Sequence, residues 1–200
     1  MGLTVYGTSA SGNCHKVRMV LEITGRPYAW HEINVLKAET RTPEFLRLNP
    51  NGKVPTVVLE NGSTLAESNA ILWYFGEGTA LVPQDRLQRA RMLQWMFFEQ
   101  YTHEPAIAVA RFIRAFLKQP DDPRLPALKT RGEQALGVME QHLATHRYLA
   151  GEHLSLADLA LFAYTHRAAE GGFDLAAFPA IRAWLDRCRA QPGVSEMPPP

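Results

Sequence analysis

Only two cysteines, Cys14 and Cys188, occur in the 200 residues. That is too few for a disulfide framework, and it fits a reducing compartment such as the cytosol. Charge of either sign is not in excess: 21 Lys and Arg against 20 Asp and Glu leave a net charge of +1, without the broad basic field on which nucleic-acid binding rests. Long apolar runs are missing too. The uncharged stretch around Ala70–Phe75 falls far short of the roughly 20 residues that span a bilayer, so a soluble protein without membrane contact is expected. Met1–Tyr6 holds no basic segment ahead of an apolar run, so no secretory signal is expected and a cytoplasmic location follows. The seven histidines show neither an HExxH pattern nor paired Cys/His spacing, which argues against a catalytic metal. Glycine and proline, 14 of each, stay below the low-complexity range, and no internal repeat is visible. What remains is an ordinary globular composition, 46% hydrophobic and 20% charged, in a chain long enough for one or two domains at about 150 residues each.

The two parts of the chain differ in texture. Val, Ile and Thr number 17 in residues 1–78 but 12 in the longer remainder, and strands favour these residues. Leu3–Gly7 reads as a strand, and Ser11–Gly25, with Val17, Val20, Leu21 and Thr24 spaced by three and four, reads as a helix stopped by glycine. Tyr28–Val35 alternates as a second strand, and Pro43 opens a short helix. The Asn61–Gly62 pair between residues 55–59 and 64–66 signals a hairpin, followed by a helix over Glu67–Phe75. This β-α-β-α-β-β-α order predicts a small mixed sheet covered by helices over residues 1–78. Residues 79–86 read as a linker and 87–200 as all helical. One long amphipathic helix is expected over Leu87–Leu117, kinked or interrupted at Pro105, then helices over Leu128–Thr145 and Phe178–Ala190. Ser155-Leu156-Ala157-Asp158 has the form of a capping box before the apolar run Leu159–Ala163, which marks a buried helix. The closing Pro198–Pro200 is expected to fray.

Candidate chemistry gathers at three places. Thr8–Asn13 puts small polar residues at a strand-to-helix turn, where unpaired helix amides and the dipole favour an anion, whether phosphate, carboxylate or thiolate; Ser11 or Asn13 acting merely as a cap is the alternative. His15 and Lys16, at the start of that helix, are expected to be solvated. Val54-Pro55 stands at the entry of a strand, where proline removes a ladder donor. Glu67-Ser68 opens the third predicted helix.

Taken in order, the serine-rich first turn, the Asn49-Pro50-Asn51-Gly52-Lys53-Val54-Pro55 segment, the Glu67-Ser68 pair and the Ser-x-Ala-Asp box resemble the cytosolic glutathione transferase family over nearly the whole chain. The resemblance implies a thioredoxin-like α/β N-terminal domain that binds glutathione as co-substrate, an all-α C-terminal domain that contributes the second-substrate pocket, and a homodimer. It implies that Lys53 and the Val54 backbone meet the peptide part of glutathione ahead of a cis Pro55, that Glu67 and Ser68 hold the γ-glutamyl end, and that Arg41 reaches the glycine carboxylate. Ser11 falls where serine-using classes keep the activating hydroxyl. Asn13 matches a position used in a bacterial class with disulfide-reductase activity, and Ser9 is a lesser candidate. Tyr6, although it matches the strand tyrosine of tyrosine-using classes, is read as structural. Ser11-Gly12-Asn13-Cys14 looks like a redox Cys-x-x-Cys without its first cysteine, which excludes a local dithiol mechanism; Cys14, inside the first helical turn, is expected to be a packed thiol, with a monothiol role as the alternative.

In the dense aromatic segment Gln94–His103, Trp95 and Phe98 are assigned to the core. Phe97, Tyr101 and His103, on the helix that borders the cleft in this family, join Arg111, Phe112 and Tyr164 as the candidate second-substrate pocket, and such a lining suits an apolar electrophile. The reaction expected is attack of a glutathione thiolate, formed near Ser11, on a small electrophile. Glutathione-dependent disulfide or peroxide reduction is the enzymatic alternative, and a non-catalytic binding protein of the same fold is the alternative from another class.

Overall fold

The computed structural model describes residues 2–200; Met1, the first residue of the expected 1–78 domain, lies outside the described residues. Four strands form one sheet in the order β2-β1-β3-β4. β1 (Thr4–Gly7) pairs in parallel with β2 (Ala29–Glu32), and antiparallel with β3 (Thr56–Val58), which pairs antiparallel with β4 (Thr64–Ala66). The parallel pair requires a crossover, supplied by α1 (Gly12–Ile23). Gly25, at φ 64°, turns the chain out of that helix. β2 is shorter than the alternation over Tyr28–Val35 predicts. From Asn34 onward the side chain of Asn34 accepts from the amides of Leu36 and Lys37 and winds the chain into 3-10 turns.

After α2 (Pro43–Leu48) and α3 (Ser68–Gly76) the chain is helical. The expected long helix is present as α4 (Arg86–Phe98) and α5 (Glu104–Arg111), joined by a π turn over Glu99–His103 and followed by a second π turn over Phe112–Phe116. Pro105 cannot donate to the carbonyl one turn earlier, and the wider turn directly ahead of it carries the helix past the missing donor instead of breaking it. α6 (Leu125–Leu143) starts three residues before its expected boundary because Pro126 fits its first turn.

α7 (Leu156–Thr165) is the spine of the helical domain, with every residue buried. The Asp158 carboxylate turns back to accept from the Ser155 amide at 2.9 Å and the Ser155 hydroxyl at 2.7 Å, while its other oxygen accepts from the Leu149 amide at 3.0 Å and from Trp184 Nε1, on α8 (Pro179–Arg189), at 2.9 Å. One carboxylate thus starts the central helix and ties two neighbouring segments to it.

α1 packs on α3 within its own domain and on α7 of the other, so its solvent face is lost. His15 and Lys16, expected to be solvated, are both buried because helix-start exposure is overridden by this second layer. His15 Nε2 meets the Ser195 carbonyl at 2.7 Å, and the Met197 amide donates to His166 Nε2 at 3.1 Å. The C-terminal segment is therefore fastened as far as the buried Met197. None of the described helices is long and apolar enough to cross a membrane.

Candidate functional site

The loop between β1 and α1 places Ser11 at an interdomain cavity. Thr8 spends its side chain on the Ile33 carbonyl at 2.6 Å. Ser9 donates its hydroxyl and its amide to the Glu32 carboxylate, at 2.6 and 2.8 Å, which removes it as a thiol-activating group. Ser11 occupies the N-cap of α1 with extended backbone, yet its side chain makes no capping hydrogen bond. It lines a cavity of about 110 Å³ with Thr8, Val35, Val54, Ala108, Arg111, Phe112, Phe116 and Tyr164. The cavity joins the two domains: loop and strand-entry residues form one wall, and α5, the second π turn and α7 form the other.

Asn13, two residues further along, does not line that cavity. Its Oδ1 accepts from Lys16 Nζ at 2.8 Å and from the Ser68 hydroxyl at 3.1 Å, and its Nδ2 donates to Glu104 at 3.3 Å. Its side chain thus bridges α1, α3 and α5. Burial, with Glu99 nearby, raises the Glu104 carboxyl above the usual range. Cys14 is fully buried, and burial pushes its thiol up to about 11 against opposing hydrogen bonds from Ser11 and Thr8. It is a packed thiol, as the sequence reading has it.

Val54-Pro55 is a cis peptide. Val54 stands outside β3, and its N–H and C=O find no hydrogen-bond partner among the described residues. An extended peptide lying beside the cavity can therefore pair with it. Gly52, at φ 62°, carries the chain into this corner, and a Cβ there would come within 2.6 Å of Arg41 Nη1. Arg41 is thereby held against the same loop, with Nη1 donating to the Asn51 carbonyl at 3.3 Å, and Lys53 is exposed beside it.

Across the sheet, Glu67 caps α3 with φ 68° and ψ 110°, a left-sided conformation that costs a non-glycine residue on the order of 1–3 kcal/mol. Its side chain caps nothing, so the first amides of α3, beginning at Ser68, remain open to an external carboxylate. Glu67 is exposed and Ser68 is buried with its hydroxyl in the Asn13–Lys16 network.

Of the pocket candidates, Arg111, Phe112 and Tyr164 come together beside Ser11, and Phe97, Tyr101 and His103 do not. Phe97 is 70% and Tyr101 87% exposed on the outer face of α4 and the π turn. His103 points inward, fully buried with Nε2 2.9 Å from the Thr165 hydroxyl, and burial together with the Lys16 charge holds its imidazole down at about 3. The Tyr164 oxygen accepts from the Asn13 amide at 3.3 Å, and burial pushes its hydroxyl pKa far above the ordinary phenol range, so it remains protonated. Its ring lies over Gly12, where a Cβ would approach within 2.6 Å. Tyr6 packs its ring between His31 and Phe45, a structural role. Sequence reasoning leaves out Val35, Ala108 and Phe116 from the pocket; the spacing of Phe116 four residues after Phe112, which stacks their rings at 5.4 Å, is the signal that includes it.

Two family models match this chain, the N-terminal domain of glutathione S-transferase over residues 10–77 and the C-terminal domain over residues 95–192. The chain belongs to the glutathione S-transferase family. It is 47% identical to a glutathione S-transferase of known structure from Pseudomonas fluorescens Pf-5, with a TM-score of 0.96 over 98% of this chain and 99% of that one. A glutathione transferase from Pseudomonas putida, solved with one glutathione disulfide bound per subunit, is 27% identical with a TM-score of 0.84, over 96% of this chain and 88% of that one. Among characterised proteins, the disulfide-bond oxidoreductase YfcG of Escherichia coli K12 is 28% identical over 191 residues, 92% of this chain and 89% of that protein.

Proposed function

We propose that this protein is a glutathione transferase that binds glutathione across the corner between Val54 and the start of α3, forms its thiolate at Ser11 and delivers it to a small electrophile in the interdomain cavity. The observation that carries the reading is the Ser11 hydroxyl, which lines that cavity beside the unpaired Val54 backbone and is not used as a helix cap. Here residues 1–78 form the glutathione-binding domain, 79–86 the linker, and 87–200 the domain that completes the second-substrate pocket. Val54 pairs with the cysteinyl unit, the open α3 amides with Glu67 and Ser68 take the γ-glutamyl end, and Arg41 and Lys53 lie toward the glycine carboxylate. Asn13 acts behind Ser11 by holding α1, α3 and α5 in register. The reading carries with it a cytoplasmic homodimer with a role in detoxification.

A free thiol of pKa about 8.5 is only a few per cent ionised at pH 7, and lowering that pKa by about two units requires about 2.7 kcal/mol of differential stabilisation. A hydroxyl donating to sulfur, at a helix start with its own amide field, is a source of that order. Ser11 serves as hydrogen-bond donor, not as nucleophile.

Glutathione-dependent disulfide reduction is the second reading, supported by the likeness to YfcG and to the disulfide-bound neighbour. Because Cys14 is buried with a raised pKa, reduction in that case consumes two glutathione molecules and no protein dithiol: one thiolate displaces a thiolate from the substrate disulfide to form a mixed disulfide, and the second displaces the other, leaving glutathione disulfide. Calorimetric titration with reduced glutathione, with its disulfide, and with the Glu67→Ala variant separates these. Saturable binding of reduced glutathione, weakened in the variant, supports the transferase; tighter disulfide binding favours the reductase; absence of binding to either overturns both and leaves a non-catalytic protein of this fold.

A further inference from the structure

Gly193–Met197, beyond the last helix, is held by side chains from both domains. At Gly193, with φ 81°, a Cβ would come within 2.6 Å of Ile23 Cγ1 and 3.1 Å of the Ile23 backbone, so only glycine lets the chain pass this close to the end of α1. Two residues on, the Ser195 carbonyl accepts from His15 Nε2 of α1 at 2.7 Å. Met197 is wholly buried; its amide donates to His166 Nε2 at 3.1 Å, and its carbonyl accepts from Arg167, through Nε at 3.1 Å and through Nη2. His166 and Arg167 directly follow α7. A carbonyl only accepts and an amide only donates, so His15 carries its proton on Nε2 and His166 on Nδ1, which donates to the Phe162 carbonyl at 2.7 Å. The two rings meet at 5.8 Å where α1 packs on α7.

Both anchors lead to the Ser11 turn. His15 stands three residues after Gly12, which the Tyr164 ring covers, and Tyr164 is two residues ahead of His166. On the other side Arg167 Nη1 reaches Glu170 at 3.4 Å, and Glu170 accepts from Arg111 Nε at 2.6 Å. Arg111, nearly wholly buried, donates through Nη1 to the Ala10 carbonyl at 2.8 Å, one residue before Ser11. Polar contacts thus run without a gap from Met197 to Ala10. Chain ends fray unless tied down, and this one is tied at the contact between the two domains.

We propose that Gly193–Met197 is a positioning strap: it fastens α1 to α7 and, through His15 on one side and Arg167, Glu170 and Arg111 on the other, holds the Ser11 turn against Tyr164. Its effect on glutathione rests on thiol activation at Ser11; the strap itself does not. With the strap released, α1 shifts more freely on α7 and Arg167 loses one of its two partners, so the Ser11 hydroxyl meets the sulfur in a looser geometry. Glutathione binding is spared, because Arg41, Lys53, Val54, Glu67 and Ser68 all belong to the sheet domain and make no hydrogen bond to the strap.

The test compares the parent with a chain ending at Pro192 and with Gly193→Ala, which keeps every other residue but drives a Cβ into Ile23. Hydrogen exchange is read at the Asn13 amide, which donates across the domain contact to the Tyr164 oxygen, and at the amides of β3 inside the sheet. In the shortened chain, exchange at Asn13 is expected to rise at least ten-fold while β3 stays within about three-fold. Gly193→Ala moves Asn13 in the same direction by a smaller factor, and it carries the comparison alone if the shortened chain does not fold. In the glutathione complex the thiol pKa is expected to rise by about half a unit or more, with calorimetric affinity for glutathione changed less than three-fold. Unchanged exchange at Asn13 would overturn the strap, and so would equal acceleration at Asn13 and in β3, which is the mark of a tail that adds stability only. Faster exchange at Asn13 with an unmoved thiol pKa would overturn the positioning role. If the parent binds no glutathione, the transferase reading fails, while the exchange comparison still decides whether the strap holds the two domains.

Discussion

Lys16 Nζ and Glu99 Oε2 lie 2.7 Å apart with both side chains wholly out of solvent, one on α1 of the sheet domain and the other in the π turn of the helical domain. Lys16 also donates to Asn13 and, at 3.3 Å, to the Ser68 hydroxyl, while Asn69 Nδ2 donates to the same Glu99 oxygen at 3.1 Å. A buried pair of this kind gains little over apolar packing but is costly to break singly, because the surviving charge has no partner. Glu99→Ala or Lys16→Met is therefore expected to lower unfolding stability by about 3–5 kcal/mol, with the double variant less destabilised than the sum. Urea denaturation of the four proteins in a double-mutant cycle measures the coupling, and strict additivity would show that the pair does not hold the domains together.

Asp158 serves four donors with two oxygens. Asp158→Ala removes a helix start and leaves the Leu149 and Ser155 amides and Trp184 Nε1 unpaired in the core, for an expected loss of about 2–4 kcal/mol. A drop in the urea midpoint measures it. A variant as stable as the parent would show that α7 is set by packing alone.

Glycine at position 12 is required by Tyr164, whose ring would meet a Cβ at 2.6 Å. Gly12→Ala is expected to cost about 1–3 kcal/mol through overpacking and, by displacing the start of α1 from Tyr164, to raise the pKa of the bound thiol. Tyr164→Phe keeps the ring and tests the hydroxyl separately, since it removes only the acceptor for the Asn13 amide. An unchanged Gly12→Ala variant would mean that the Tyr164 ring moves aside freely.

The fastened C-terminal segment gives the stability a pH dependence. Burial lowers the imidazoles of His15 and His166 to about 4, and that of His103 to about 3, from an ordinary 6.5. Between these values the unfolded chain binds more protons than the folded one, so stability is full above pH about 6.5 and falls as pH drops toward 4. Glu104 and Asp158, whose carboxyls are raised by burial, act in the opposite sense and offset part of the loss. The urea midpoint is expected to fall between pH 7 and 5, with a shallower slope in His166→Asn; equal slopes in the two proteins would remove His166 from the account.

The sheet, its hairpin, the helical second half and the Ser155–Asp158 start were legible in the sequence because each has a local cause: alternation, the Asn-Gly turn, amphipathic spacing, a capping pair. Ser11 is singled out by the family resemblance; locally it is one of several small polar residues, with Thr8, Ser9 and Asn13, at the first strand-to-helix turn. The burial of Lys16 and His15 was not legible, since it comes from segments far along the chain, Lys16 against Ser68 and Glu99 and His15 against His166 and Ser195. Phe97, Tyr101 and His103 show the same limit from the other side. The helix was recognisable, but the π turn at Glu99–His103 alters the rotation that sets which face each residue occupies, and neither exposed ring reaches the cavity. The partnership of Arg111 with Glu170 and Ala10 depends on three distant segments meeting, and no local pattern records it.

Whether the Ser11 hydroxyl stabilises a thiolate is read from the pH titration of thiolate absorbance in the glutathione complex. The parent is expected to show a bound thiol about two units below the free value near 8.5. Ser11→Ala is expected to return the pKa upward by about one to two units while calorimetric affinity for glutathione changes less than three-fold. An identical thiol pKa in the two proteins would contradict the assignment of Ser11.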